Sequence, residues 1–96
     1  MVDFIAKQVF VTGRVQKVGF RNWTVKQARS LDLYGFVRNR IDGTVETVLC
    51  GNTKTIDEMI EILKKGSPYS RVDSIKVFDF PIQDDVPAEF LLLPTL

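Results

Sequence analysis

The order in which hydrophobic periodicity changes along the chain is the tightest constraint on its fold. From Phe4 to Thr12 the sequence has strand character, with β-branched and aromatic residues on both faces. A strand apolar on both sides belongs near the middle of its sheet. Helical spacing follows from Arg21 to Asp32, where apolar Trp23, Ala28 and Leu31 alternate with Lys26, Arg29 and Asp32. Tyr34 to Arg40 and Thr44 to Cys50 then read as strands. Ile41-Asp42-Gly43 joins them, because Asp-Gly is a strong hairpin signal.

Gly51-Asn52 is expected to break the third strand. Thr55 and Glu58 fit a capping box, and Ile56, Met59, Ile60 and Leu63 mark the buried stripe of a second helix that Gly66 ends. Val72 to Phe80 reads as a fourth strand, Pro81 to Pro87 as an irregular acidic segment, and Glu89 to Leu93 as a short edge strand. The order predicts an α+β, ferredoxin-like βαββαβ sandwich, an antiparallel sheet with two helices on one face. That architecture hosts enzymes, RNA binders and ligand sensors, so function has to be read from individual residues.

A chain of 96 residues, 45% hydrophobic and 26% charged, is expected to form one soluble domain over residues 1–96. No apolar run approaches the roughly 20 residues of a membrane span, and Met1-Val2-Asp3-Phe4 does not look like a secretory signal. The single cysteine, Cys50, permits no internal disulfide and lies in an apolar run, which suits a buried, inert thiol. These features point to a cytoplasmic protein. The net charge of +1 hides an asymmetry: +6 over residues 1–40 and −5 over residues 41–96. A basic half can steer a small anion. So small a net charge argues against nucleic acid as the main partner. Side chains alternate along a strand, so Val37 and Asn39 share one face while Phe36, Arg38 and Arg40 share the other. Arg38 and Arg40 are expected to be solvated on a sheet edge. There is no histidine. The commonest general base, the usual zinc ligand and the Ser-His-Asp scheme are therefore all excluded.

Between the first strand and the first helix lies Gly13-Arg14-Val15-Gln16-Lys17-Val18-Gly19-Phe20-Arg21. The opening amides of a helix have no intrahelical partner and, with the helix dipole, favour an anion. Loop amides can add a concave nest, and Arg21 would bring a permanently charged planar fork. Spacing alone leaves open a plain connecting loop with Arg21 in solvent. The glycines do not form a Walker loop, because five residues separate them and Phe20 follows.

This segment, together with Gly35-Phe36-Val37-Arg38-Asn39-Arg40-Ile41-Asp42-Gly43-Thr44-Val45-Glu46, resembles the acylphosphatase signatures, roughly G-x-V-Q-G-V-x-F-R and G-[WF]-V-x-N-x-x-D-G-x-V-E. The resemblance extends through Ala28, Leu31 and Leu33 and the Gly66 to Val72 loop, and spans about Val9 to Val77. It implies a small stand-alone hydrolase that cleaves the carboxyl–phosphate bond of acyl phosphates. It implies that Arg21 and the backbone amides of Gln16, Lys17, Val18, Gly19, Phe20 and Arg21 hold the phosphate, and that Asn39 orients the attacking water. No cofactor, metal or covalent intermediate is expected. The expected protein is a monomer, inhibited by product phosphate, with no nucleic-acid or membrane partner. Lys17 stands where the family usually has glycine. If that residue is left-handed, the strain is on the order of 1 kcal/mol. Asn39 alone would also suit a strand end before a turn.

Two alternatives of another class share this topology. One is a module that binds phosphate or carboxylate without turnover. The other is an RNA-binding module, since Tyr34-Gly35-Phe36-Val37 superficially resembles an aromatic RNP segment. That segment belongs on the third strand, where Thr44 to Cys50 has no aromatic residue.

Overall fold

The computed structural model describes residues 4–82 and 87–96. Of the acidic segment from Pro81 to Pro87, residues 83–86 lie outside the described residues. The elements are β1 (Phe4–Arg14), α1 (Phe20–Ser30), β2 (Tyr34–Asn39), β3 (Val45–Asn52), α2 (Thr53–Lys65), β4 (Arg71–Asp79) and β5 (Phe90–Leu92). They form one sheet in the order β4-β1-β3-β2-β5. The β1–β3, β1–β4 and β2–β3 pairs are antiparallel. The edge strand β5 departs from the expected antiparallel sheet by pairing parallel to β2. The topology requires this: a chain that reverses after β4 runs antiparallel to β4, and β4 is itself antiparallel to β2.

One face of the sheet carries the core. Val9, Val11, Val37, Val45 and Leu49 from the strands pack with Phe20, Val25 and Ala28 of α1 and Ile56, Met59 and Leu63 of α2. The alternation of a strand sends the intervening residues to the other face, which no helix covers among the described residues. The central strand β3 is buried along nearly its whole length, from Val45 to Gly51.

Because β1 and β2 are both antiparallel to β3, they run parallel to each other and finish at the same end of the sheet. The registers make this concrete. Asn39 pairs with Val45, and Val45 pairs on its other side with Val11. The end of β2 therefore lies two strand spacings, about 10 Å, from β1. Just beyond Val11 the ladder to β4 shifts register between Thr12 and Gly13. Gly13 has φ 126°, and a Cβ there would sit 2.2 Å from the Arg71 carbonyl oxygen. Only glycine permits β1 to continue past this point to Arg14.

The start of α2 corrects the sequence reading. The strand does not break at Gly51-Asn52 but passes directly into the helix, whose N-cap is Asn52, with Oδ1 accepting from the Lys54 N–H at 2.9 Å. Asparagine is among the strongest N-caps, so it takes the role expected of Thr55, which lies inside the helix. Asn52→Ala should therefore cost about 1 kcal/mol. Thr55→Ala should stay within about 0.5 kcal/mol of the parent. Urea denaturation midpoints of the two variants provide the check, and a larger loss for Thr55→Ala would restore the capping box.

Candidate functional site

The loop between β1 and α1 is held from below by its own apolar side chains. Val15 and Phe20 are fully buried in the core and Val18 packs against it. This leaves the main chain between them on the surface with its amides free. Lys17 (φ 63°) and Gly19 (φ 78°) are left-handed, while the residues on either side of each are not. Such alternation of hand gathers successive N–H groups into a concavity. Gly19 is the N-cap of α1 and no side chain caps the helix. The first intrahelical bond runs from the Trp23 N–H to the Gly19 carbonyl at 3.1 Å. The amides of Phe20, Arg21 and Asn22 thus have no intrahelical acceptor. Those of Lys17, Val18 and Gly19 donate to no backbone carbonyl among the described residues.

Arg21 lies in the first turn of α1, half-buried. It makes no ion pair among the described residues. It shares the first helical turn with the amides that lack an intrahelical acceptor, a place where a guanidinium can take an anion. Asn39 closes β2 on the core-facing side, 9% exposed. Its carbonyl accepts from the Leu96 N–H at 3.1 Å. Its side-chain Oδ1 is buried and has no hydrogen-bond partner among the described residues. A buried carboxamide oxygen without a partner costs about 1–3 kcal/mol, so its persistence asks for a reason.

Loop and strand end are joined by Gln16, whose Nε2 donates to the carbonyls of Arg40 and Thr44, both at 2.8 Å. Its side chain is therefore committed to the protein, which leaves its backbone N–H as the donor it could offer an anion. The turn beyond Asn39 is built by Asp42, whose Oδ1 accepts from the Thr44 N–H at 3.0 Å and the Thr44 hydroxyl at 2.7 Å. Those bonds, the backbone one foremost, hold the Asp42 carboxyl below the ordinary aspartate range.

Arg38 and Arg40 are not the solvated edge residues expected from the sequence. β5 covers the outer side of β2, and Glu46 stands directly across from Arg38. Glu46 Oε1 accepts from Arg38 Nε at 2.8 Å and Arg40 Nη1 at 3.1 Å, and Oε2 accepts from Gln8 Nε2 at 2.8 Å. The Arg38 guanidinium also lies 5.1 Å from the centre of the Phe36 ring. Burial pushes the Glu46 carboxyl up, but the bonds from Arg38 and Gln8 and the charges of both arginines outweigh it, so its pKa lies below the ordinary value. The Asp-Gly turn fixes the register that sets Glu46 opposite Arg38, and this pairing was the signal the sequence carried. Cys50 is buried as expected, and burial raises its thiol pKa. Among the described residues no three His, Cys, Asp or Glu gather where they could hold a metal ion. Among the described residues no helix is long and apolar enough to cross a membrane.

Comparison with known proteins follows the same residues. A profile of the family described as Acylphosphatase matches residues 7–90. A protein from Rhizorhabdus wittichii named Acylphosphatase is 54% identical over 79 residues, covering 82% of this chain and 80% of that protein. One of the same name from Bifidobacterium longum is 41% identical over 88 residues, covering 92% of this chain and 91% of that one. The crystal structure of acylphosphatase from Bacillus subtilis matches with a TM-score of 0.86 and 34% identity, covering 93% of this chain and 98% of that chain.

The geometry generates two predictions. A carboxyl whose folded pKa is depressed stabilises the fold above its unfolded pKa, and that contribution is lost as pH falls through the folded value. Glu46→Gln should cost about 1–3 kcal/mol at neutral pH. The difference from the parent should shrink as the solution is acidified below the ordinary glutamate range. Denaturation midpoints of both proteins across that range measure it, and a pH-independent difference would contradict the ionised pair. Lys17→Gly relieves a left-handed lysine and should raise stability by up to about 1 kcal/mol. A fall in the denaturation midpoint would show that the loop holds Lys17 without strain.

Proposed function

The chain belongs to the acylphosphatase family, and on that footing we propose how it hydrolyses the carboxyl–phosphate bond of acyl phosphates. Arg21 and the free amides of the loop and first helical turn bind the phosphoryl oxygens. They stabilise the charge those oxygens carry in the transition state. Asn39 Oδ1 accepts a hydrogen bond from the attacking water and aims the water oxygen at phosphorus. As the new P–O bond forms, the bond from phosphorus to the carboxyl oxygen breaks, and its electron pair leaves with the carboxylate. The water protons pass to phosphate and solvent. The observation that carries this reading is the buried, unpartnered Oδ1 of Asn39 at the end of the sheet where the free amides and unpaired Arg21 lie.

The chemistry suits a site with no titrating acid. A carboxylate is the conjugate base of an acid with a pKa of about 4 and departs unprotonated. An alkoxide needs a general acid or a metal ion to leave at a useful rate. This supports a metal-independent mechanism with acyl phosphates as substrates. Released phosphate fits the same anion site and should compete with substrate. The lone, buried Cys50 suits a reducing, cytoplasmic setting.

The test compares benzoyl phosphate with serine phosphate under identical conditions. Hydrolysis of the first should greatly exceed that of the second in kcat/KM. Arg21→Ala should lower activity about 1,000-fold or more and weaken inhibition by inorganic phosphate. Asn39→Ala should lower kcat about 100-fold with phosphate inhibition retained. Comparable rates on the two substrates would require an acid that this site lacks. Full phosphate affinity in a folded Arg21→Ala protein would remove Arg21 from the site.

A further inference from the structure

The anion loop and Asn39 come from different strands, and one side chain spans the gap between them. Both carbonyls bound by Gln16 already close the turn that follows Asn39. The Arg40 N–H donates to the Thr44 carbonyl at 2.9 Å and the Gly43 N–H donates to the Arg40 carbonyl at 3.1 Å. Each carbonyl has two lone pairs, so the carboxamide of Gln16 adds to these bonds without displacing them. Its two N–H groups are both used, each at 2.8 Å. From the other side the same turn is tied to Leu96. The Ile41 N–H donates to the Leu96 carbonyl at 3.0 Å, and the Leu96 N–H donates to the Asn39 carbonyl at 3.1 Å.

We infer that Gln16 is a positioning residue for the reaction. Its side chain sets the separation between the amides that hold phosphate and the carboxamide that holds water, and it acts on catalysis through Asn39. The inference rests on the role proposed above for Asn39. Gln16 lies in the loop itself, one residue before left-handed Lys17, so its backbone moves with the anion site. Its carboxamide grips the residue that follows Asn39 in the chain. Any slack in these bonds therefore appears as a change in the distance between phosphorus and the attacking water. The turn keeps its own backbone bonds and its tie to Leu96 when the Gln16 carboxamide is lost. Loss of Gln16 accordingly displaces the turn without unfolding it.

The chemistry of the contact dictates the variants. Methionine fills the volume of glutamine and offers no donor. Ionised glutamate would face two carbonyl oxygens with acceptors alone, whereas protonated glutamate regains one O–H donor. The measurements are kcat on benzoyl phosphate and the inhibition constant of inorganic phosphate, for Gln16→Met in the parent and in an Asn39→Ala background. In the parent, kcat should fall about 100-fold, the scale of a misplacement near 1 Å. Phosphate inhibition should stay within about twofold, because the amides and Arg21 are intact. In the Asn39→Ala background the same substitution should lower kcat by less than about threefold, the non-additivity of residues that act as one unit. Gln16→Glu should gain activity as pH is lowered, a titration that Gln16→Met lacks. Equal losses in the two backgrounds, with Asn39→Ala itself defective, would overturn the inference and leave the role of Asn39 standing. Parallel losses of kcat and phosphate affinity would also overturn it, by making Gln16 a prop of the loop alone. An Asn39→Ala protein with parental kcat would remove Asn39 from the mechanism, and with it the route through which Gln16 acts.

Discussion

The pairing of β3 with β1 on one side and β2 on the other is the constraint on which the site depends. Val45 is opposite both Val11 and Asn39. Antiparallel pairing on both sides makes β1 and β2 parallel, and that row brings their ends to one edge of the sheet. Everything with chemical potential then follows from what each strand does next. β1 must continue past Arg71 with a glycine, bury Val15 and Phe20, and leave the amides between them exposed. β2 must turn at once into β3, which holds Asn39 still. A slip of one residue in the β2–β3 register would send the Asn39 side chain to the other face of the sheet.

The two faces of the sheet divide the labour. The core-facing side carries Asn39 and the loop, where the groups proposed to act are a guanidinium, amides and a carboxamide. The opposite side carries the only carboxylate nine-tenths buried among the described residues, Glu46, clamped by Arg38, Arg40 and Gln8. A buried carboxylate near the reacting phosphate would oppose the negative charge of the substrate. Alternation along β2 and β3 sets Glu46 on the far side of the sheet, where it braces the hairpin and keeps its charge matched by two arginines.

The features legible in the sequence share a physical character: they are local. Periodicity located the helices and strands, Asp42-Gly43 gave the turn, and the glycine pattern around Gln16 marked the loop. What escaped was decided by competition or by distance. Asn52 and Thr55 are both good caps, and the direct passage of β3 into α2 selected the first. Arg38 looked solvated because its partner, Glu46, lies eight residues away across the hairpin. Gln16 was read only for its backbone amide, because the carbonyls that its side chain holds lie 24 and 28 residues further on. No composition or motif signals a side chain bound to backbone carbonyls, since any residue can supply the carbonyl. The parallel pairing of β5 was hidden for the same reason, as it depends on which strand edge remains free once the other four have paired.

A site of this kind sets its own limits. The groups proposed to act are a guanidinium, backbone amides and a carboxamide, whereas enzymes built around a histidine or a raised carboxyl tune proton transfer through a pKa. What remains adjustable in the proposed site is geometry: the distance between an anion on the amides and a water on the carboxamide. Rigid attachment therefore does the work that pKa matching does elsewhere. The fold supplies that attachment from three directions, through the buried side chains beneath the loop, the β2–β3 ladder behind Asn39, and the paired bonds of Gln16 between them. A leaving group that needs no proton is the one such a rigid, non-titrating site can serve, so the absence of histidine and the choice of an acyl phosphate are two sides of the same constraint.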